Sequence, residues 1–315
     1  MGIAIRAAGL SRQYGPVRAL AGLDLNIAQG EVFGYLGPDG AGKTTTLQLL
    51  LGLARPTAGY AQIFGLDCWD DAVAVHRRLA WVPRAASLWP SLTGAETLHL
   101  LGRVHGHADP RYRDELIARF ALGLGRKIRA CSPGDRQKVL LIAAFMTRAE
   151  LLLLDKPTRG LDPLMEQEFR RCVGEARSRG QTVFLASHIR SGLEVLCDRV
   201  GILRDVRLAG TGTPEQLRHL SPVIVEAVFD TALPNLTAVP GVRRATATGR
   251  HLRLEVRGPV APVIGVLASA GARGLVCREP SLDELFPARH GELNPRTLAP
   301  AARPQGAARR SGPPG

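Results

Sequence analysis

The sequence has few aromatic residues and lacks long apolar runs. Aromatic side chains make up 5% of its 315 residues. No uninterrupted apolar run reaches the roughly 18 residues that a membrane-spanning helix needs, and the longest candidate, residues 139–154, is broken by Arg148 and Glu150. Residues 1–10 lack the apolar core of a secretory signal. We therefore expect a cytosolic chain rather than an integral membrane protein.

Cysteine and lysine are also scarce. The five cysteines are scattered without a C-x-x-C pair, which argues against both a disulfide framework and a zinc site. The formal net charge is +13, but only four of the 41 basic residues are lysines, and the 37 arginines are dispersed without interleaved aromatic residues. Nucleic acid is therefore not an expected partner. Residues 289–315, rich in Pro, Ala, Gly and Arg, predict a disordered basic tail.

Apolar runs alternate with helical patterns through the first 220 residues, which predicts an α/β domain with a largely parallel sheet. Buried strands are predicted at 31–36, 79–82, 151–154 and 182–186. Residues from about 85 to 148 predict an inserted helical subdomain. Thr93 and Glu96 form a capping-box pattern there, and Asp109 followed by Pro110 is typical of a helix start.

The pattern changes at about residue 222. Strands are predicted at 223–229, near Val242, at 251–257 and at 274–277, with a helix at 260–270. This order approximates βαββαβ and predicts a small ferredoxin-like α+β accessory domain over residues 222–288.

The strongest functional signal is a full match to the phosphate-loop pattern, in which two glycines five apart are followed by Lys and Thr. The residues predicted to contact a polyphosphate are Gly37, Pro38, Asp39, Gly40, Ala41, Gly42, Lys43, Thr44 and Thr45. The glycines let backbone N–H groups turn toward the phosphates, and the following helix adds its dipole. Lys43 is expected to neutralise the β and γ phosphates. Thr44 is expected to bind Mg²⁺ together with Asp155, which ends a buried strand.

With these motifs in place, residues from about 4 to 220 resemble the nucleotide-binding subunit of an ATP-binding cassette (ABC) transporter, a P-loop NTPase fold. The resemblance implies that Tyr14 stacks on adenine and that His188 is the switch histidine. It also implies a head-to-tail dimer, homomeric or heteromeric. In such a dimer Ser132 and Gly134, in the signature Cys131–Asp135, contact the ATP of the other subunit, and Asp162 lies in the dimer-contacting loop.

Several positions depart from the family pattern. Lys156 follows Asp155 where the family usually has a catalytic glutamate, and Arg84 replaces the usual glutamine. An ammonium group cannot position or deprotonate the attacking water, so one hypothesis is tight ATP binding with slow hydrolysis. The alternative is that another group positions the water and turnover is adequate. In the signature, Ser132 is the predicted N-cap of a helix, Pro133 its first residue and Asp135 the residue that closes a capping box. Pro133 has no N–H for an anion and Asp135 replaces an amide, which predicts a weaker sandwich contact.

The ending Pro280–Phe286 resembles the close of the accessory domain in ATPase subunits of drug exporters of the ABC-2 type. The resemblance implies the ATP-binding subunit of a bacterial exporter for a drug or secondary metabolite, bound at the inner face of the membrane to a separate permease. The alternative is a catalytically impaired regulatory subunit of a heterodimeric transporter, which Lys156 favours. A soluble cassette ATPase acting on ribosomes or DNA is disfavoured, because the chain has one cassette and only a short helical insert.

Overall fold

The computed structural model describes residues 2–85, 88–106, 108–188, 193–219, 223–230, 233–234, 236 and 239–278. These residues form two compact units that divide at about residue 218. None of the helices in these ranges has both the length and the apolar character needed to cross a membrane. The predicted basic tail and the motif at Pro280–Phe286 lie outside the described residues.

The first unit contains ten strands and seven α-helices within its described residues. In chain order they are β1 (Ile3–Tyr14), β2 (Val17–Ala28), β3 (Val32–Leu36), α1 (Lys43–Leu50), β4 (Ala58–Ile63), β5 (Leu66–Asp67), α2 (Ala72–His76), β6 (Leu79–Val82), α3 (Gly94–His105), α4 (Pro110–Arg119), α5 (Pro133–Phe145), β7 (Leu151–Asp155), α6 (Pro163–Ser178), β8 (Thr182–Ser187), β9 (Arg199–Arg204), β10 (Arg207–Gly212) and α7 (Pro214–His219). Single-turn 3-10 helices lie at Ile128–Ala130 and Leu193–Leu196.

A six-stranded sheet in the order β10-β9-β3-β8-β7-β6 forms the centre of this unit. All its neighbouring strands are parallel except β9 and β10. Strands β3, β7 and β8 are buried along their whole lengths, as expected for a sheet covered on both faces. The largely parallel sheet and its four predicted strands are therefore confirmed. Because these strands are parallel, their carboxyl ends lie at one edge, which is where the candidate site forms.

A second sheet of the first unit, in the order β2-β1-β4-β5, is antiparallel. Its long strands β1 and β2 are joined by a tight turn in which Gly15 has a left-handed φ of +53°. Buried residues alternate with more exposed ones along β2, the pattern of a sheet that faces the core on one side. This sheet is an addition to the predicted strands, and it places Tyr14 at the tip of its first hairpin.

Helices α3, α4 and α5 occupy the predicted helical insert and contribute to one apolar core with α6 and the central sheet. The capping box of Thr93 and Glu96 at the start of α3 is confirmed, as is the start of α4 at Asp109 and Pro110. Arg119 near the end of α4 forms ion pairs of 3.0 Å with both Glu168 and Glu175 of α6. These pairs attach α4 to the unit's core.

The second unit contains β11 (Val223–Phe229), β12 (Val242–Thr248), β13 (His251–Val256), α8 (Ala261–Ser269) and β14 (Ala272–Arg278). Its antiparallel sheet has the order β12-β13-β11-β14, the strand order of a split βαβ fold. The described residues between β11 and β12 are not helical, so the first helix of the predicted βαββαβ order is wrong for that part. Pro234 and Pro240 lie there, and neither offers the N–H that a continuous helix needs.

Candidate nucleotide-binding site

The phosphate loop connects the end of β3 to the start of α1. Gly42 is the N-cap of α1, and its left-handed φ of +103° is one that side chains other than glycine rarely adopt. A Cβ added at Gly37 would lie 2.4 Å from the carbonyl oxygen of Leu203, and one at Gly42 would lie 2.6 Å from that of Ala19. The loop can therefore keep this close fit only with glycine at these two positions.

The side chain of Lys43 points back into the loop. Lys43 is buried, and its Nζ donates hydrogen bonds to the carbonyl oxygens of Gly37 at 2.6 Å and Pro38 at 2.7 Å. Burial, and then the positive charge of Lys156, lowers the pKa of Lys43 to about 8. The ammonium group is thus held by neutral carbonyls in a place where an anion would be a stronger partner.

Asp155 lies at the end of β7 and faces the first turn of α1. Thr44 Oγ1 donates a hydrogen bond of 3.2 Å to Asp155 Oδ2. The other oxygen, Oδ1, is buried and has no hydrogen-bond partner among the residues that the structure describes. Desolvation raises the pKa of this carboxyl group. A buried carboxylate oxygen without a partner, next to a threonine hydroxyl, is the hard-oxygen donor set that suits Mg²⁺.

Four neighbouring strand ends supply a charged cluster beside the loop. We call it the Lys156 cluster, and it consists of Lys156, Asp39, His188 and Arg84. Lys156 follows β7, His188 follows β8 and Asp39 follows β3. Lys156 Nζ lies 2.7 Å from Asp39 Oδ1 and 2.5 Å from His188 Nε2. Arg84, which follows β6, places a guanidinium nitrogen 3.6 Å from Asp39 Oδ1. The structure thus brings the predicted residues of four strand ends together.

The backbone fixes where the Lys156 side chain points. Lys156 has a left-handed φ of +50° and donates its N–H to the carbonyl oxygen of Ala186 at 2.8 Å.

The side-chain hydrogen bond from Lys156 holds the pKa of Asp39 below its usual value. Burial, and then Lys156, lowers the pKa of His188. At neutral pH the cluster therefore contains an ionised Asp39 and a neutral His188 that accepts a hydrogen bond from Lys156.

The signature segment forms the start of α5. Ser132 is the N-cap and Pro133 is the first helical residue, as predicted. The Ser132 hydroxyl accepts the N–H of Asp135 at 3.0 Å and donates to Asp135 Oδ2 at 2.8 Å. The prediction that Asp135 closes a capping box is wrong, because its carboxylate binds the hydroxyl of Ser132 rather than its backbone N–H. Aspartate is one methylene shorter than the glutamate that closes the box at Thr93.

The other predicted site residues have local partners. Asp162 is the N-cap of α6 and accepts the N–H of Met165 at 3.0 Å. Tyr14 is half-exposed, and the guanidinium carbon of Arg12 lies 4.3 Å from its ring centroid. Gly134 packs against the backbone at Gly160, since a Cβ there would lie 2.5 Å from the carbonyl oxygen of Gly160. Within the described part of the chain, the hydrogen bonds of Ser132 and Asp162 run to their own helices and not to the phosphate loop.

One buried residue was missed in the sequence. Gln137 in α5 donates its Nε2 to the carbonyl oxygen of Pro157 at 2.9 Å, which connects the signature helix to the turn after Lys156. A buried amide must find a hydrogen-bond partner. A lone glutamine just before the apolar run 139–146 is the signal that could have identified it.

Comparison with known proteins agrees with this arrangement. The family model described as ABC transporter matches residues 20–159. The daunorubicin resistance ATP-binding protein DrrA3 of Streptomyces coeruleorubidus is 36% identical over 301 residues, covering 90% of this chain and 94% of that protein. The bacitracin transport ATP-binding protein BcrA of Bacillus licheniformis is 35% identical over 211 residues, covering 66% of this chain and 69% of that protein.

The solved structures agree on the fold. A structure described as the ATP binding subunit of an ABC transporter matches with a TM-score of 0.65 and 29% identity, covering 69% of this chain and 92% of that one. The phosphate loop, the buried Asp155 beside Thr44 and the match along nearly the full length of DrrA3 lead to the same assignment. The chain belongs to the ABC transporter family and contains that family's ATP-binding cassette.

Proposed function

We propose that the chain is the ATP-binding subunit of an exporter and that its phosphate loop holds the polyphosphate of Mg²⁺-ATP. The observation that supports this most directly is the buried oxygen of Asp155, which has no hydrogen-bond partner among the described residues and lies next to Thr44, in the same site as the buried Lys43. Backbone N–H groups of residue 37 and residues 39–45 would bind phosphate oxygens, and Lys43 would exchange its two carbonyl partners for the β and γ phosphates.

Thr44 and Asp155 are the residues that would hold Mg²⁺. When bound, the ion would neutralise negative charge on the phosphates. Tyr14 is proposed to stack on adenine, with Arg12 covering its ring. Ser132, Gly134 and Asp162 are proposed to contact the nucleotide or the loop of a second cassette. The local hydrogen bonds of Ser132 and Asp162 keep these segments ordered before a partner arrives.

We propose further that hydrolysis is slow. The glutamate that would activate water is replaced by Lys156, whose ammonium is bonded to Asp39 and His188. His188 accepts a hydrogen bond from that ammonium, so its Nε2 is not available to water in this arrangement. The loss of a general base typically costs about 10² to 10⁴ in rate.

Nucleotide affinity and turnover of the purified chain test both parts. We expect Mg²⁺-ATP to be retained in equilibrium dialysis and turnover to be low. A Lys156→Glu substitution alone would place a carboxylate beside Asp39, so the informative variant is Lys156→Glu combined with Asp39→Asn. We expect it to raise turnover by about 10². Rapid hydrolysis by the unmodified chain, with no gain in the double variant, would refute slow hydrolysis. Absence of nucleotide binding would refute the whole proposal.

The exporter part of the proposal is supported by the relatives. DrrA3 and BcrA are named for daunorubicin resistance and bacitracin transport, so we propose a drug or secondary metabolite as cargo. The cassette would act as a dimer on a separate permease at the inner face of the cell membrane, where ATP binding would close the dimer and move the permease. Co-purification of tagged chain with a polytopic membrane protein from its native cells would support this, and co-purification with ribosomes or DNA would contradict it.

A regulatory subunit of a heterodimeric transporter is the second candidate, and Lys156 is the observation that favours it. In that case a partner cassette with a glutamate at this position would hydrolyse ATP. Size-exclusion chromatography coupled to light scattering, with ATP and Mg²⁺ present, separates the two possibilities. A dimer of the purified chain alone favours the homodimer, whereas a monomer that dimerises only with a second cassette favours the heterodimer.

A further inference from the structure

Asp39 is a carboxylate in a loop that is otherwise suited to bind anions. The phosphate loop presents backbone N–H groups and the ammonium of Lys43, and the neighbouring strand ends add Lys156 and Arg84. Polyphosphate would enter the same space. A fixed negative charge at this position opposes the ligand for which the rest of the loop is suited.

The ion pair between Asp39 and Lys156 is unequal in its burial. The side chain of Lys156 is 9% exposed, whereas that of Asp39 is 56% exposed. The lysine is held by its backbone hydrogen bond to Ala186 and by the contact of its Nζ with His188. Asp39 lies on the loop, and more than half of its side chain is exposed to solvent. Of the two partners, Asp39 is therefore the one that can move away without exposing a buried charge.

Lys156 and Lys43 share this space. Lys43 Nζ donates to the carbonyl oxygen of Pro38 at 2.7 Å, and Lys156 Nζ donates to Oδ1 of the next residue, Asp39, at 2.7 Å. The two ammonium groups therefore contact adjacent residues of the loop. Among the described residues, the hydrogen-bond partners of Lys43 Nζ are neutral carbonyls, whereas Lys156 is bonded to the carboxylate of Asp39. An anion that reached both ammonium groups would have to replace the Asp39 carboxylate at Lys156.

We propose that Asp39 competes with the γ-phosphate of the nucleotide for the ammonium of Lys156. In the free chain the Asp39 carboxylate binds this ammonium, and a triphosphate has to displace it, whereas a diphosphate does not. The inference rests on the proposed function. ADP, which ends at the β-phosphate, can bind Lys43 and leave the pair between Asp39 and Lys156 intact. Asp39 is thus a specificity-determining residue that reduces the preference of the site for ATP over ADP.

The test compares the binding of ADP with that of the slowly hydrolysed β,γ-imido analogue of ATP. Affinities are measured by equilibrium dialysis with Mg²⁺ for the unmodified chain, Asp39→Asn and Asp39→Ser. Asp70→Asn is the matched control, because it removes one exposed carboxylate outside the site. We expect both Asp39 variants to bind the triphosphate about tenfold more tightly, with ADP affinity changed less than twofold and the control unchanged. The gain should shrink as salt is added.

The outcomes separate this inference from the proposed function. Weaker triphosphate binding by both Asp39 variants would mean that Asp39 positions Lys156 for the phosphate, and this would overturn the inference alone. Equal changes for ADP and the triphosphate would overturn it as well. Failure of all variants and of the unmodified chain to bind either nucleotide would overturn the proposed function together with the inference. Thermal unfolding of both Asp39 variants checks that each is folded.

Discussion

The phosphate-loop edge and the signature segment differ in how their polar groups are satisfied. At the phosphate-loop edge, hydrogen bonds join residues that are more than 100 positions apart, as from Thr44 to Asp155 and from Lys156 to Asp39. In the signature segment, the hydroxyl of Ser132 and the carboxylate of Asp135 bond to each other within one helical turn. The first region is assembled by the sheet, and the second by its own helix.

This difference suggests which region can act alone. The loop edge has a buried oxygen without a described partner and an ammonium held by neutral carbonyls, so it gains stronger partners when an anion and a cation enter. The polar groups of the signature segment are already satisfied and partly exposed. Its contribution, on our proposal, comes when a second cassette approaches. Substitutions in the two regions should therefore have separable effects.

The largest expected effect is on nucleotide binding. Lys43→Ala removes the only ammonium that lies within the loop itself. We expect Mg²⁺-ATP affinity to fall on the order of a hundredfold, which corresponds to the loss of one or two charge-assisted hydrogen bonds. Ser132→Ala should leave affinity within about twofold when the protein is dilute enough to be monomeric. Equilibrium dialysis measures both. Equal losses in the two variants would show that the regions do not act separately.

The next effect concerns packing between the signature segment and the loop at Gly160. In Gly134→Ala, the new Cβ would lie 2.5 Å from the Gly160 carbonyl oxygen, so we expect the free energy of unfolding to fall by about 1–3 kcal/mol. Gly174→Ala in α6 is the matched control, because its Cβ would meet nothing within 4 Å. Alanine favours a helix interior, so the control should gain up to about 1 kcal/mol. Urea unfolding measures both, and a neutral Gly134→Ala would contradict the close approach.

A smaller effect is expected from the N-cap of α5. Ser132→Ala removes the hydroxyl that accepts the N–H of Asp135, and a lost N-cap typically costs about 1 kcal/mol. Ser132→Thr keeps the oxygen and should restore most of the stability. Urea unfolding of the pair measures the difference. A Thr variant as unstable as the Ala variant would indicate that shape, and not the hydroxyl, matters here.

The features that could be predicted from the sequence are those that depend on local signals. The buried strands, the starts of α3, α4 and α5, and the phosphate loop all depend on residues close together in the chain. The antiparallel sheet of β1, β2, β4 and β5 was not predicted, because pairing of β1 with β4 joins residues far apart. The bond between Lys156 and Asp39 was not predicted either. It depends on β8 lying between β3 and β7, and no local pattern fixes the order of parallel strands.

The smallest expected effect comes from Asp135→Asn, which removes the acidic charge from the first turn of α5. A carboxylate near a helix N-terminus contributes about 0.3–1 kcal/mol, and the contact of Lys138 Nζ with Asp135 Oδ1 is long, at 3.8 Å. We expect a loss of about 0.5 kcal/mol in urea unfolding that shrinks with added salt, since asparagine can still accept the Ser132 hydroxyl. A loss as large as that of Ser132→Ala would mean that the carboxylate, and not the hydroxyl, holds this helix start. The signature segment would then depend on a charge, as the phosphate-loop edge does.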